Sequence, residues 1–261
     1  MPEPTILITN DDGIYSKGIL ALQQSMRSLG RTVVVAPETE KSAVGHAITI
    51  SEPIRIREMT REGSFAGYAI GGTPADCVKL GVKALLENRP NLIVSGINRG
   101  PNVGMSILYS GTVSAATEGV ILGVPSIAVS LDAWIDTDYT YAAEVAHEFA
   151  SIVLGGGLSA GTALNINVPD KEKGAIKGIR LTKQGDSYYE EEFDRRVDPR
   201  QRIYYWMDGR LVESEENLDL DLDDIALREG YVSVTPLHYN LTDHRSLAEL
   251  DKWSVFENGI Q

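Results

Sequence analysis

Three short runs constrain this chain more than any other feature: TILIT at residues 5–9, TVVVA at 32–36 and NLIVS at 91–95. Each carries apolar or β-branched side chains at consecutive positions, so neither face of such a strand can be left to water. Strands of this kind belong to parallel sheets covered by helices on both sides. Helical patterns lie between them. Ser16 stands as N-cap before Ile19, Leu22, Met26 and Leu29, with Gly30 as the stop. Thr73, Pro74 and Asp76 fall at N-cap, N1 and N3 of a second helix carrying Val78, Val82 and Leu85 on one face. A third helix is expected from about Val113 to Leu122, and a fourth carries Ala142, Val145, Phe149 and Ile152. VPSIAVSL (124–131) and ALNINVP (163–169) read as further strands. PETEKSAVGHAITI reads as a polar loop leading into a strand, and PIRIRE (53–58) as a half-exposed strand.

The resulting expectation is an α/β fold with a doubly wound, mostly parallel sheet. Residues 1–182 form its core and residues 183–261 a C-terminal extension, expected to serve oligomerisation. Within the extension, QRIYYWMDGRLVES reads as a β-hairpin turning at Asp208-Gly209.

The chain has 261 residues, enough to bury a substantial core. No run of 18 apolar residues is present, and Met1-Pro-Glu-Pro leads into a strand without a basic or apolar leader, so a cytoplasmic protein free of the membrane is expected. A formal net charge of −13 argues against binding a nucleic acid polymer or an anionic membrane surface. Cys77 is the only cysteine, which excludes an intrachain disulfide and a cysteine zinc cluster.

A parallel sheet brings the loops after its strands to one carboxyl edge. Three of those loops carry chemistry: Asn10-Asp11-Asp12-Gly13, Lys41-Ser42, and Ser95-Gly96-Ile97-Asn98. Two carboxylates, a hydroxyl and an amide then surround one crevice, an oxygen set suited to Mg²⁺ or Mn²⁺. Two like unit charges about 4 Å apart repel by roughly 4 kcal/mol at an effective dielectric near 20, so a partly buried pair needs a cation or a shared proton. The plainer reading makes Asp11 or Asp12 a helix cap, for which one aspartate suffices. Ser110, Gly111 and Thr112 open a helix rich in small residues, where free amides and hydroxyls form a phosphate cradle. The plainer alternative there is an N-cap at Thr112. His46 follows Ser42 in its loop and is a candidate general acid for a leaving oxygen. His147, His238 and His244 read as structural, exposed or interface residues, and Cys77 as a small core residue.

Several other patterns fail. The dinucleotide fingerprint G-x-G-x-x-G is absent after the first strand, and no P-loop exists. DLDLDD (219–224) lacks the glycine and glutamate of a calcium loop and reads as a solvated acidic turn opening a short helix. NDDG also lacks the D-x-D of phosphatases that use an aspartyl nucleophile, which favours attack by metal-activated water.

Taken together, ILITNDDG, APETEKSAVGHAIT, GGTPADCV, LIVSGINRGPNVG, YSGTVSAATEG and GYVSVTPL resemble, in order and spacing, the SurE family of stationary-phase survival nucleotidases. The resemblance runs from residue 6 to about residue 240. It implies a Rossmann-like, SurE-like core, hydrolysis of nucleoside 5′-monophosphates and 3′-monophosphates, and a homo-oligomer, dimer or tetramer, assembled partly through the extension. It further implies one Mg²⁺ or Mn²⁺ per subunit held by Asp11, Asp12, Ser42 and Asn98, with Asp11 and Asp12 catalytic. Phosphate contacts fall on Asn98, Ser110, Gly111 and Thr112. Ala43 stands where many members have glycine. The rival readings are a phosphomonoesterase or exopolyphosphatase with a non-nucleotide substrate, and a metal-dependent nucleotide sensor without catalysis.

Overall fold

A computed structural model describes residues 3–61, 64–135, 138–212, 219–253 and 255. Nine strands form one sheet, and the three apolar runs lie at its centre. β1 (Thr5–Thr9) is flanked by β2 (Arg31–Pro37) and β5 (Leu92–Arg99), parallel to both. The sheet continues past β2 to β4 (Ser64–Ile70) and antiparallel β3 (Ile56–Arg61). On the other side it continues through β6 (Ser126–Asp132) and β7 (Thr162–Pro169). From β1 the chain winds first outward through β2, then returns to build β5 on the opposite side. The order therefore reverses between β1 and β5, the position at which a doubly wound sheet opens a crevice at its carboxyl edge.

Alternation along β1 divides the core. Ile6 and Ile8 pack with α1 (Lys17–Met26) and α4 (Thr140–Leu154) on one face. Leu7 points to the other, with Cys77 and Val78 of α2 (Pro74–Leu80) and Ala115 of α3 (Gly111–Ile121). Ser16 caps α1 through the Ile19 amide, and Thr73 with Asp76 forms a reciprocal capping box on α2, as the spacing of those residues implies. Cys77 is fully buried and free.

Four expectations need correction. The strand expected in AITI is a loop, because Asp76 rather than a neighbouring strand takes the Thr49 amide (3.0 Å) and the Thr49 hydroxyl (2.6 Å). The hairpin pairs β9 (Tyr188–Val197) with β10 (Ile203–Val212) and turns at residues 198–202, not at Asp208-Gly209. There Asp198 collects the amides of Arg200 and Arg202 at 2.8 and 2.9 Å, and Gln201 adopts φ +64°. Gly209 instead sits within the ladder opposite Glu191, where a turn would have left half the pairing unmade. The N-cap of α3 is Ser110, whose hydroxyl accepts the Val113 amide, and not Thr112. Finally, Asp223 and Asp224, at the start of α5 (Asp223–Arg228), are buried rather than solvated.

The segment after residue 182 does two things. β11 (Val232–His238) enters the main sheet between β7 and β8 (Ile179–Leu181), running antiparallel to β7, and α5 packs beside it. The β9–β10 ribbon forms a separate two-stranded sheet. The last described helix, α6, spans His244–Leu250. Among the described residues no helix is long and apolar enough to cross a membrane.

Candidate active site

The site grows from the ends of β1 and β5. Asn10, fully buried, donates through Nδ2 to the Gly13 carbonyl (3.1 Å) and to Ser16 Oγ (2.8 Å), which folds the Asp11-Asp12 turn back onto the start of α1. Gly13 adopts φ +94°, a conformation that disfavours any side chain, and lets the turn pass close to Thr39. The Lys41 amide donates to the Asp11 carbonyl at 2.7 Å, so the Ser42 loop lies directly against the aspartate turn. On the other side the Arg99 amide reaches Asp12 Oδ2 at 3.4 Å. The strand bulges between Ser95 and Asn98, with Gly96 at φ +135°. The Asn98 amide then bonds through Nδ2 to the Gly100 carbonyl at 2.8 Å. The aspartate turn and the Ser42 loop meet as expected, whereas residues 95–98, expected as a loop, are the bulged end of β5 and reach the same edge from within the sheet.

The two carboxylates differ in surroundings. Asp11 is 5% exposed and faces the N-terminus of α3. The Thr112 hydroxyl donates to its Oδ1, and the backbone amides of Gly111 and Thr112 favour its charged form. Burial outweighs them and raises its pKa. A Cβ on Gly111 would lie 2.7 Å from Asp11 Cβ and 2.9 Å from its Oδ2, so only glycine admits this approach. Asp12 is pushed up to about 6, first by burial and then by the neighbouring Asp11 charge, with Glu40 adding to it. Neither carboxylate has an ion pair among the described residues.

Ser42 is exposed and donates to Glu40 Oε1 at 2.6 Å, which leaves its lone pairs free. Ala43 follows with φ +54°. Ser110 Oγ accepts from Val113 at 3.1 Å and keeps its own proton for a further partner. His46 is tied to Glu118 of α3 at 2.9 Å, and Lys79 binds the other oxygen of that carboxylate at 2.6 Å. Glu118 is 3% exposed and held below the usual carboxylate range, although burial opposes this, because His46 and Lys79 both bond its charged form. The Gly45 amide donates to the Tyr109 carbonyl at 2.9 Å, which sets the His46 loop beside the entrance to α3.

Sequence reasoning passed over Glu118. A signal existed: it stands seven residues after Gly111, on the same face of a helix otherwise made of small side chains.

The survival protein SurE family model matches residues 6–191. The chain belongs to the SurE family. It is 49% identical over 241 residues to 5′-nucleotidase SurE of Syntrophus aciditrophicus, covering 92% of this chain and 90% of that one. It is 45% identical to 5′-nucleotidase SurE of Syntrophobacter fumaroxidans, over 96% of this chain and 99% of that one. The crystal structure of the SurE protein from Aquifex aeolicus superimposes with a TM-score of 0.81 at 42% identity, covering 95% and 98% of the two chains.

Proposed function

We propose that this SurE protein is a metal-dependent 5′-nucleotidase whose chemistry takes place at the Asp11-Asp12 turn. The observation that carries this reading is the adjacent carboxylate pair at the switch point, Asp11 buried and Asp12 half-buried, with no ion pair to either among the described residues, in a chain whose relatives are named 5′-nucleotidases. The donor set fits a hard divalent cation. Asp11 and Asp12 supply carboxylate oxygens, Ser42 its hydroxyl oxygen, and Asn98 its Oδ1, since Nδ2 is engaged with Gly100. These four residues would hold one Mg²⁺ or Mn²⁺ per subunit. When bound, such an ion supplies Lewis acidity at a phosphoryl oxygen and acidifies water.

The chain's own groups do the rest. The Thr112 hydroxyl fixes the Asp11 carboxylate and is therefore taken before any phosphate arrives. Asp12, beside Asp11 at the mouth of the crevice, orients the attacking water and takes its proton. The free Ser110 hydroxyl proton and the backbone amides at the start of α3 are assigned to the phosphate, with Asn98 on its other side, while the Thr112 hydroxyl stays on Asp11. His46, oriented by Glu118, donates a proton to the departing alkoxide. The substrates are nucleoside 5′-monophosphates, with 3′-monophosphates hydrolysed as well. We place the activity in the cytoplasm, a reducing compartment that suits the free thiol of Cys77.

Assembly into a dimer or tetramer is assigned to the extension from residue 183. Its β9–β10 ribbon exposes Phe193, Tyr205 and Trp206 by 65, 57 and 59%. A ribbon of two strands is marginal alone and gains stability by packing on a second copy. Phosphate release from 5′-AMP, 3′-AMP and p-nitrophenyl phosphate with Mn²⁺ tests the substrate class. Release from the nucleotides at least tenfold faster than from the aryl ester is expected; a preference for the aryl ester contradicts a nucleotidase.

A further inference from the structure

Between Asn98 and Ser110 the chain must leave the end of β5 and arrive at the start of α3. The intervening segment includes a short 3-10 turn, Gly104–Leu108; Ile107 packs in a small core cluster, and Asn102 is held by Ser130, Asn165 and Asn167, which leaves the turn at Gly104 and Met105 to be fastened. What fixes it lies far away in sequence. Asp223 is fully buried, and its Oδ1 accepts the Gly104 amide at 3.1 Å and the Gly185 amide at 2.8 Å. Asp224 is 4% exposed, and its Oδ2 accepts the Ser187 amide at 2.9 Å. The Gln184 side chain donates to the Gly104 carbonyl at 2.9 Å, and the Met105 amide to the Ser187 carbonyl at 2.8 Å.

Two glycines make this fit. Gly104 has φ +54°, and a Cβ there would stand 2.2 Å from Ser187 Oγ; a Cβ on Gly185 would stand 2.2 Å from Asp224 Oδ1. The backbone of the 104–105 segment, the 184–187 segment and the start of α5 therefore form one hydrogen-bonded knot. Residues 184–187 are also the root of the β9–β10 ribbon.

We propose that Asp223 is a positioning residue for the phosphate-binding turn. It fastens the Asn98-to-Ser110 connection, so that Ser110 and Thr112 keep their place opposite Asp11 while the ribbon root is held by the same carboxylate. A buried acid pair at this position otherwise carries a desolvation cost that an apolar pair would avoid. The geometry explains its use: one carboxylate oxygen gathers amides from two separate segments, which no apolar side chain does. The inference rests on the nucleotidase reading for its activity readout only.

The test compares Asp223→Ala, Asp223→Asn and the milder Gln184→Ala with the wild type, each checked for retained fold by circular dichroism. An asparagine keeps the accepting oxygen and removes the repulsion toward Asp224, so it is the rescuing variant. With Mn²⁺ and 5′-AMP, Asp223→Ala is expected to lose tenfold or more in kcat/KM, Gln184→Ala about threefold, and Asp223→Asn less than threefold. Mn²⁺ affinity without substrate should change less than threefold in all of them, because Asp11 and Asp12 are intact. Activity within twofold of wild type in Asp223→Ala, or equal losses in the alanine and asparagine variants, overturns the proposal. Hydrogen exchange gives a reading that needs no turnover. Peptides spanning 102–110 and 184–188 should both exchange faster in Asp223→Ala, and in Gln184→Ala if the alanine variant does not fold. Unchanged exchange overturns the proposal. A wild-type protein that releases no phosphate while these exchange effects are present defeats the nucleotidase reading and leaves the positioning role standing.

Discussion

The molecule contains two adjacent aspartate pairs with different surroundings: Asp223 and Asp224 are both buried, whereas Asp11 is buried and Asp12 only half-buried. Asp223 and Asp224 are surrounded by backbone donors: Gly104, Gly185 and Asp224 give amides to the first, Ser187 and Ile225 to the second. Asp11 has the Thr112 hydroxyl and the start of α3, but Asp12 has one long amide contact, 3.4 Å from Arg99. Each pair has a member pushed up to about 6, chiefly by burial. The difference lies in what completes each pair. At α5 the chain itself supplies three amides to Asp223 Oδ1 and one to each Asp224 oxygen, leaving only Asp223 Oδ2 without a partner among the described residues, and the pair is a structural knot. At β1 Asp12 has a single long amide contact, and the partner proposed for it is a cation from solution.

That contrast is broken most severely by Asp11→Asn. Losing one carboxylate from the proposed cation site should cost on the order of 10²–10³-fold in kcat. The apo protein should melt at the same temperature or higher, since a neutral amide removes a buried charge. Steady-state phosphate release and thermal melts check both halves. Asp223→Ala should do the reverse in the apo protein, destabilising it by about 2–3 kcal/mol because buried amides lose their acceptor. Urea melts without metal distinguish the two pairs directly.

Mn²⁺ supplies the next contrast. At 100 times its dissociation constant it should stabilise the wild type by about 2.7 kcal/mol. Asp223→Asn should show the same increment, whereas Asp11→Asn should show little of it. Acidity sharpens the comparison further. Protons compete with the cation for Asp12, whose pKa is raised to about 6, so Mn²⁺ affinity should be full above that pH and fall as pH drops through it. The sign for folding alone is opposite: a carboxyl with a raised folded pKa costs stability above it, and relief comes as pH falls through the window from about 6 toward the unfolded value. Calorimetric titrations at pH 7.5 and 5.5 read the first effect. The smallest expected change is Ala43→Gly. Ala43 holds φ +54°, so glycine relieves about 1 kcal/mol of strain and returns part of it as unfolded-chain entropy, leaving a melting temperature nearly unchanged or slightly raised.

The sequence carried most of the crevice because the crevice follows from topology. TILIT, TVVVA and NLIVS form adjacent central strands, and that alone brings Asp11, Asp12, Ser42 and Asn98 to one edge. The helix starts at Ser16 and Thr73 were equally legible, because capping is local chemistry. What escaped is long-range. Asp223 and Asp224 look like a solvated turn in DLDLDD because the amides that bury them come from residues 104, 185 and 187. Thr49 fails to extend a strand because Asp76, 27 residues on, takes its amide. The hairpin turn was misplaced because an Asp-Gly pair is a strong local signal, whereas the ten-residue ladder that overrides it is a sum over the whole ribbon. β11 gives no local sign that it will enter the sheet between β7 and β8.

The central claim is that the Asp11-Asp12 pair is completed by a cation and that this completion makes the enzyme. Phosphate release from 5′-AMP by metal-stripped protein, measured with and without added Mn²⁺ beside Asp11→Asn, tests it most directly. The account predicts release that requires metal and is lost in the variant. Metal-independent release, or full activity in Asp11→Asn, would contradict it.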